Sequence, residues 1–223
     1  MVVRIHIICE GQTEEAFVKN ILTPYFSLRN IHLFPSLIGK PGHKGGAVKI
    51  NRLYTDIHTY LSNDTSSYCS TFFDYYGLPK EFPGKSNSAS ATTATDKSSL
   101  LLAGLNTYLA KHLPEESLRR FIPYVQMHEF ESLLFSDTAN FAKSIGRPSL
   151  QEHLQSDRDQ FANPEEINDS PKTAPSKRIL SYFPKYQKVL DGVLASRKIG
   201  LDAIRRECPL FNQWLQKMED LKQ

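Results

Sequence analysis

Cysteine is scarce in this chain. Only three are present among 223 residues, Cys9, Cys69 and Cys208, and no two of them are spaced as a CxxC pair. Disulfide-rich secreted domains and zinc-binding modules both need several cysteines at short, regular spacings. The sequence therefore argues against both classes and predicts a protein of a reducing, cytoplasmic environment.

Long hydrophobic runs and a strong excess of one charge are also missing. No segment approaches the roughly 20 apolar residues that a membrane-spanning helix needs, and the first residues, MVVRIHIICEG, lack the layout of a signal peptide. With 27 basic and 24 acidic side chains, the net charge is only +3. Such a charge permits a polyanionic partner without requiring one. We expect a cytoplasmic protein with no membrane partner.

Hydrophobic residues make up 40% of the chain, enough for a globular core, and their spacing alternates between strand and helix periods. The predicted strands are 2–9, 31–38, 68–77 and a segment that begins near 120 and turns helical near His128. The predicted helices are 13–29, 48–62 and 99–113. This alternation is typical of a parallel sheet with helices on its faces. We predict a three-layer, Rossmann-like α/β core over residues 1–137.

The remaining residues have a different character. Five prolines interrupt residues 138–186, and the pattern over 186–221 predicts two short amphipathic helices divided near Gly200. We therefore predict that residues 138–223 form a Pro-rich connection and a helical C-terminal region packed on the core. Within the core, the Pro-, Gly-, Ser- and Thr-rich segment 77–99 predicts a mobile loop.

Acidic side chains follow three of the predicted strands. Glu10 comes directly after the first strand and Asp74 after the third, and the fourth is followed by His128, Glu129 and Glu131. The carboxyl ends of parallel strands meet at one edge of a sheet, where α/β proteins bind ligands. Carboxylates that converge there repel one another unless a cation neutralises them, and hard oxygen ligands suit Mg²⁺ or Mn²⁺. The sequence thus predicts a magnesium or manganese site.

Each of these residues also has a structural explanation. Glu10 precedes Gly11 at a strand-to-helix turn, where acids interact favourably with the helix dipole, as Glu14 would in the first helical turn. Asp74 lies in a sequence that favours a turn. A lone histidine such as His128 is more often a packed or hydrogen-bonded residue than a ligand. For each of these residues, the sequence is compatible with both the metal-site and the structural explanation.

The motifs CEGQTE and FFDYYG resemble, in this order, the two acidic motifs of the Toprim domain, which is the metal-dependent domain of topoisomerases, bacterial primases and related nucleases. Glu10 and Gly11 match the Glu-Gly pair of the first motif. Asp74 matches the first Asp of the Asp-x-Asp motif. Tyr76 stands where the second Asp is usual, so the match lacks one acidic residue.

More narrowly, the chain resembles an uncharacterised bacterial family of Toprim-like proteins, sometimes called RloG-like, which includes the second component of AbiL phage-abortive systems. The segments that carry this likeness are EGQTE, DYYGLP, HEFESLLFSD, NPEEIND and APSKRI, and they span nearly the whole chain. The resemblance implies a metal-dependent nuclease that acts on DNA or RNA in antiphage defence. It also implies a partner ATPase of the AAA or ABC type.

A further acid would replace the ligand missing at Tyr76. On a helix, Glu129 and Glu131 lie about 200° apart, whereas His128 and Glu131 share one face. We therefore expect Glu10, Asp74 and Glu131 to be the catalytic metal ligands, with His128 beside them and Glu129 as the second choice. The predicted reaction is phosphodiester hydrolysis, with Glu10 as a ligand or as the general base.

Two basic segments are candidates for contacts with nucleic acid. GKPGHKGG places Lys40, His43 and Lys44 before a helix start, where phosphate binds readily, but it lacks the Walker A pattern and also suits a flexible connection. APSKRI provides Lys177 and Arg178, which either contact the phosphate backbone or lie at a solvated helix start. For each segment, the sequence is compatible with both a phosphate contact and a purely structural role.

We therefore predict a Mg²⁺-dependent nuclease, and two other classes stay open. One is a nucleic-acid-binding or regulatory subunit with little or no catalytic activity, which the departure at Tyr76 favours. The other is a metal-dependent phosphohydrolase with a small substrate, which a deep pocket in place of an open groove would favour. A homodimer is compatible with the sequence.

Overall fold

The computed structural model describes residues 2–39, 45, 48–168 and 173–222. In these residues the chain forms an α/β fold around a five-stranded, parallel sheet of order β2-β1-β3-β4, in which β5 continues the pairing along the end of β3. The strands are β1 (Val3–Cys9), β2 (Ile31–Leu37), β3 (Tyr68–Asp74), β4 (Phe121–Ile122) and β5 (Val125–Gln126). The predicted parallel sheet is confirmed.

Helices occupy most of the remaining described residues. The first of them continues through a π-helical turn, Val18–Leu22, and the segment after His128 is a 3₁₀ helix, Phe130–Ser136. The α-helices are α1 (Gln12–Phe17), α2 (Thr23–Ser27), α3 (Ile50–Asn63), α4 (Lys85–Ser88), α5 (Ala94–Leu109), α6 (Glu115–Arg119), α7 (Thr138–Ser144), α8 (Gln151–Arg158), α9 (Pro175–Tyr182), α10 (Lys188–Ile199), α11 (Leu201–Glu207) and α12 (Pro209–Glu219). Every helix in these ranges is too short or too polar to cross a membrane.

Both faces of the sheet are covered, which produces three layers. Successive strand residues point to opposite faces, so Ile7 enters one hydrophobic core and Ile8 enters the other. The core on the side of Ile7 also holds Phe17 and Trp214, from α1 and α12. The core on the side of Ile8 holds apolar residues of α3 and α5. The predicted Rossmann-like, three-layer core is confirmed.

The predicted C-terminal region packs on the sheet through aromatic contacts. Trp214 of α12 stacks on Tyr124 with ring centroids 4.4 Å apart and lies 5.3 Å from the ring of Phe72 in β3. Its indole N–H donates to the hydroxyl of Ser70 at 2.9 Å. Truncation of such a buried aromatic residue typically costs about 3–5 kcal/mol. The helical C-terminal extension is thus part of the folded core, while a domain boundary at residue 137 stays a prediction.

Prolines interrupt the hydrogen bonding at both edges of the sheet. Pro35 lies within β2, the strand at one edge, and Pro123 separates β4 from β5 at the other. Because proline has no N–H, it is tolerated only at sheet edges or at strand breaks. Thr71 of β3 replaces the strand pairing that is lost between β4 and β5. Its hydroxyl donates to the carbonyl of Tyr124 at 2.8 Å and accepts from the N–H of the same residue at 2.9 Å.

Several predicted boundaries are wrong. The predicted loop 77–99 contains α4, and α5 begins at Ala94, because Thr93 caps the helix by accepting from the N–H of Asp96. Residues 186–221 form three helices, since a second break precedes Pro209. There the buried carboxylate of Glu165 accepts from the first free N–H groups of α12. The cap from Glu165 comes from a distant residue and leaves no local pattern in the sequence, whereas Thr93 and Asp96 are close neighbours in the chain.

Candidate functional site

The ends of β1 and β3 lie side by side and bring Glu10 to Asp74. The N–H of Glu10 donates to the carbonyl of Phe72 at 3.2 Å, and Oε2 of Glu10 accepts from the N–H of Asp74 at 3.1 Å. A side chain on Gly77 would collide with the Glu10 carboxylate. The strand pairing, the backbone hydrogen bond and the bare Gly77 together hold the carboxylate of Glu10 at the end of Asp74's strand.

Asp74 has the most strongly perturbed carboxyl group of the site. Its Oδ1 is buried and has no hydrogen-bond partner among the described residues. Burial raises the pKa of Asp74 well above its usual range, and the negative charges of Glu14, Glu131 and Glu10 raise it further. The acids whose charges act on Asp74 come from two other segments of the chain, 10–14 and the 3₁₀ helix that holds Glu131.

Glu14 is one of these acids. Its Oε2 accepts from the N–H of Gly11 at 2.9 Å, so it closes the first turn of α1 while its own side chain is only 6% exposed. Burial, together with the charge of Glu10, raises the pKa of Glu14 to about 6. Glu14 is therefore both a structural residue of the helix start and a contributor to the local negative charge.

Glu131 comes from the 3₁₀ helix and is fully buried. Burial raises its pKa to about 7. One oxygen, Oε1, has no hydrogen-bond partner in the described part of the chain, and the other, Oε2, accepts from Nζ of Lys188 at 3.1 Å. We call Glu10, Glu14, Asp74 and Glu131 the acidic cluster.

Lys188 is the cation of the acidic cluster, and sequence reasoning missed it. It opens α10, and its positive charge lowers the pKa of all four members of the cluster. Burial lowers the pKa of Lys188 itself, but Glu131, Glu129 and Asp74 raise it more, so it lies above its ordinary value. No sequence signal marks this residue, because its contact with Glu131 spans 57 positions.

Glu129 has a different hydrogen-bond partner from Glu131. Its Oε2 accepts from the N–H of Ser176 at 2.8 Å, in the first turn of α9. The next residue, Lys177, is exposed, and Arg178 forms a buried ion pair with Asp157 at 2.6 Å. The start of α9 thus lies beside Glu129, and the guanidinium of Arg178 has a structural contact.

His128 adopts a left-handed backbone conformation, with φ of 64°, which is uncommon for a residue with a side chain. Its carbonyl accepts from the N–H of Tyr76 at 3.1 Å, and the two rings are 5.5 Å apart. Burial and the charges of Lys97 and Lys85 lower the pKa of His128 to about 3. The imidazole is therefore neutral near pH 7.

Near the end of β3 lies a cavity of about 640 Å³, which we call the lysine pocket. Three lysines line it together with aromatic, apolar and amide side chains, and none of its described lining residues is acidic. Its lining residues include Lys80, Lys85, Lys97, Tyr76, His128 and Asn168. The pocket begins directly after Asp74, since Tyr75 and Tyr76 form part of its wall.

The glycine-rich loop is described only in part. Lys40, His43 and Lys44 lie outside the described residues, so their predicted role stays a prediction. Gly45 is described, and its N–H donates to the carbonyl of Ile38 at 2.8 Å. A side chain on Gly45 would meet the backbone carbonyl of Glu10 at 3.5 Å. This end of the loop therefore lies against the residue that opens the site.

The side chains of the acidic cluster are carboxylates, which are the ligand type that Mg²⁺ and Mn²⁺ prefer, but one of them, Glu131, already accepts a hydrogen bond from Lys188. In the described ranges, no group of three or more His, Cys, Asp or Glu side chains stands ready to hold a metal ion. Oδ1 of Asp74 and Oε1 of Glu131 are buried without a hydrogen-bond partner among the described residues and could accept a further ligand. Metal binding by these residues would require the side chains to rearrange around the lysine.

The comparisons with known proteins give one result. No curated protein and no solved structure matches the chain. A family model described as a domain of unknown function, DUF4276, matches residues 9–219, which include the acidic cluster, the lysine pocket and the C-terminal helices. The chain therefore belongs to the DUF4276 family.

Proposed function

We propose that the protein is a nuclease that uses Mg²⁺ or Mn²⁺ to hydrolyse phosphodiester bonds at the acidic cluster. The observation that carries this proposal is the meeting of two strand-end acids, in which Glu10 accepts from the N–H of Asp74 while Oδ1 of Asp74 is buried without a partner among the described residues. A buried, unpaired carboxylate oxygen costs free energy, and a bound cation would offset that cost.

The donor atoms fit such an ion. Glu10, Asp74 and Glu131 provide carboxylate oxygens, which are the ligands that Mg²⁺ and Mn²⁺ prefer. Glu129 is the weaker choice because it accepts from the N–H of Ser176 at the start of α9 and is not among the acids whose charges raise the pKa of Asp74. A divalent cation held there would polarise a phosphoryl oxygen and lower the pKa of a water molecule.

The chain's own residues then have distinct tasks. Burial raises the pKa of Glu10, which makes its carboxylate a better proton acceptor, and the N–H of Asp74 orients that carboxylate. Lys188 would provide positive charge to a phosphate group, since phosphoryl chemistry depends mainly on electrostatic stabilisation. The antiphage setting and the partner ATPase rest on the resemblance to the Toprim-like family alone and stay predictions.

A second candidate function is a metal-dependent phosphohydrolase with a small substrate. The lysine pocket favours it, because a cavity of about 640 Å³ near the end of β3 is large enough for a small phosphorylated molecule. A non-catalytic subunit is favoured by Tyr76 at the position of an expected acid.

Cleavage assays test the nuclease proposal directly. The purified chain is incubated with plasmid DNA and with RNA, in Mg²⁺, in Mn²⁺ and in chelator. We expect cleavage that requires metal, is lost in Glu10→Gln and is retained in Glu15→Gln. Glu15 is a matched control because it lies in the same helical turn as Glu14 but forms an ion pair with Lys19. The absence of both cleavage and Mn²⁺ binding, the latter measured by calorimetry, would refute the proposal.

A further inference from the structure

We propose that the lysine pocket binds a single phosphorylated nucleotide, presented either as the end of a single strand or as a free mononucleotide. This inference rests on the proposed function and deepens it, because it names the part of the substrate that the protein grips. Tyr75 and Tyr76, the two residues after Asp74, line the pocket, so we expect a nucleotide held in it to place its neighbouring phosphodiester near the acidic cluster.

Uncompensated positive charge is the first argument for a phosphorylated ligand. Lys80 and Lys97 form no ion pair within the described part of the chain, and no acid lines the cavity there. The third lysine, Lys85, lies over the ring of Tyr75, with its Nζ 3.1 Å from the ring centroid. Burial and the charge of Lys97 lower the pKa of Lys85 to about 8. Lys85 and Lys97, both partly buried, repel each other, and this repulsion favours an anion between them.

Unpartnered polar atoms in the pocket wall are the second and independent argument. His128 is 1% exposed, yet its Nδ1 has no hydrogen-bond partner among the described residues. Oδ1 of Asn168, another lining residue, is also buried without a described partner. Native proteins satisfy nearly all buried polar atoms, and exceptions at a cavity wall are typical of groups that contact a ligand.

The apolar part of the wall distinguishes a nucleotide from inorganic phosphate. Tyr76 and Leu78 line the pocket on the side that follows Asp74, and Ala89 lines it from the segment after α4. Aromatic side chains next to basic ones form stacking platforms for bases of any sequence. The volume of the pocket suits a ligand of one nucleotide and is too small for a duplex.

The pocket is held in shape by two glycines. A side chain on Gly104, in α5, would overlap the backbone of Gly84, and Gly84 itself has φ of 83°. This contact fixes the segment that carries Lys85 against the helix that carries Lys97. Lys85 of α4 and Lys97 of α5 both line the cavity. Because backbone contact sets the distance between these two helices, the width of the pocket on this side is fixed before a ligand binds.

Calorimetry in the presence of chelator tests this inference separately from metal-dependent cleavage. The probes are 2′-deoxyadenosine 5′-monophosphate, a 5′-phosphorylated single-stranded DNA tetramer and inorganic phosphate. We expect both nucleotides to bind more tightly than inorganic phosphate. The double variant Lys80→Gln, Lys97→Gln is expected to weaken nucleotide binding by about tenfold or more, and Lys111→Gln, an exposed lysine beyond the end of α5, is expected to leave it unchanged.

A second variant separates the base from the phosphate. Tyr76→Ala is expected to weaken nucleotide binding and to leave the binding of inorganic phosphate unchanged, with circular dichroism used to verify the fold. Tighter binding of the tetramer than of the mononucleotide assigns the pocket to strand ends, and equal binding assigns it to free nucleotides. Nucleotide affinity that is undetectable, or equal in the wild type and the double lysine variant, overturns the inference. Nucleotide binding without metal-dependent cleavage would instead contradict the nuclease proposal alone.

Discussion

Lys188 Nζ lies 3.1 Å from Oε2 of Glu131 and thereby ties the first residue of α10 to the buried 3₁₀ helix. Glu131 has no exposed surface, whereas 47% of the Lys188 side chain is exposed. The carboxylate of Glu131 is therefore buried, while the side chain of Lys188 reaches it from the protein surface. A divalent ion that binds the same carboxylate would compete with this lysine.

Removal of the lysine is expected to strengthen metal binding. Lys188→Gln takes one positive charge away from the acidic cluster, and a unit charge within several ångströms of a divalent ion costs several kcal/mol at an effective dielectric near 20. We expect at least a roughly tenfold gain in Mn²⁺ affinity by calorimetry. In chelator at pH 8, the same variant should be less stable by about 1–2 kcal/mol, which is less than for a fully buried pair because Lys188 is half solvated.

Lys198→Gln is the matched control, since this lysine is exposed on the same helix. It should change neither Mn²⁺ affinity nor stability. Unchanged or weaker Mn²⁺ binding by Lys188→Gln would mean that the lysine and the ion do not compete for the acidic cluster.

Asp74→Asn is expected to separate stability from metal binding. Because burial strongly favours the neutral form of Asp74, a neutral side chain of the same shape should not destabilise the metal-free fold. The melting temperature in chelator should equal or exceed that of the wild type, and the rise that Mn²⁺ produces should disappear. Scanning calorimetry with and without Mn²⁺ measures both, and Asp202→Asn, on the exposed side of α11, should keep the Mn²⁺ effect. A large loss of stability in chelator would argue that ionised Asp74 has a structural task.

The buried carboxyl of Glu131 should make stability depend on pH. Its pKa rises from 4.5 to about 7 on folding. Below about pH 4.5 the carboxyl of Glu131 is protonated in both the folded and the unfolded state. Between about pH 4.5 and 7 it ionises in the unfolded chain first, so the free energy of unfolding falls as the pH rises. Above about pH 7 the loss of stability is complete. At 1.36 kcal/mol per pKa unit, that loss is roughly 3 kcal/mol.

Urea unfolding of the wild type and of Glu131→Gln at pH 5 and pH 8, both in chelator, tests this expectation. The wild type should gain stability relative to the variant as the pH falls from 8 to 5. The neutral His128, whose pKa is lowered to about 3, has the opposite dependence, but both proteins contain it and it cancels in the difference. A difference that does not vary with pH would show that Glu131 ionises freely in the folded protein.

Gly77→Ala should displace the carboxylate of Glu10 without unfolding the chain. The added methyl group would overlap the far end of that flexible side chain, and the backbone of Gly77 does not have the positive φ that would exclude alanine. Since misplacement of a reacting group by about 1 Å can cost on the order of 100-fold in rate, we expect a loss of that order in metal-dependent cleavage. Circular dichroism and nucleotide binding to the lysine pocket should be unchanged. Full activity would show that the position of Glu10 is unimportant.

The sheet and the meeting of Glu10 with Asp74 are predictable because they follow from general rules. Alternating strands and helices imply parallel strands, and parallel neighbours end at the same edge. The position of Lys188 is not predictable in this way, since it depends on how α10 packs against the 3₁₀ helix. Arg178 illustrates the same limit, because its ion pair with Asp157 comes from the packing of α9 on α8.

The early start of α5 has a similar cause. A Ser- and Thr-rich stretch favours a loop, but the helix start is stabilised locally by the Thr93 cap and, from 72 positions away, by Glu166. Glu166 accepts from the N–H of Ala94 with both of its oxygens, at 2.9 and 3.0 Å. The lysine pocket could not be predicted from the sequence either, because it also depends on tertiary contacts. Lys80, Lys85 and Lys97 lie along a segment whose sequence favours a loop, and the contact of Gly84 with Gly104, which holds Lys85 near α5, depends on the tertiary fold.

The prolines at the two sheet edges have a consequence for how copies of this protein meet. An unbroken edge strand invites another chain to add a strand, which leads to aggregation or to a continuous intermolecular sheet. Here Pro35 interrupts the row of N–H donors in β2, and Pro123 divides the opposite edge into two-residue strands. Addition of a strand is therefore unfavourable at both edges of the described sheet, and we expect self-association of this protein to use its helical faces.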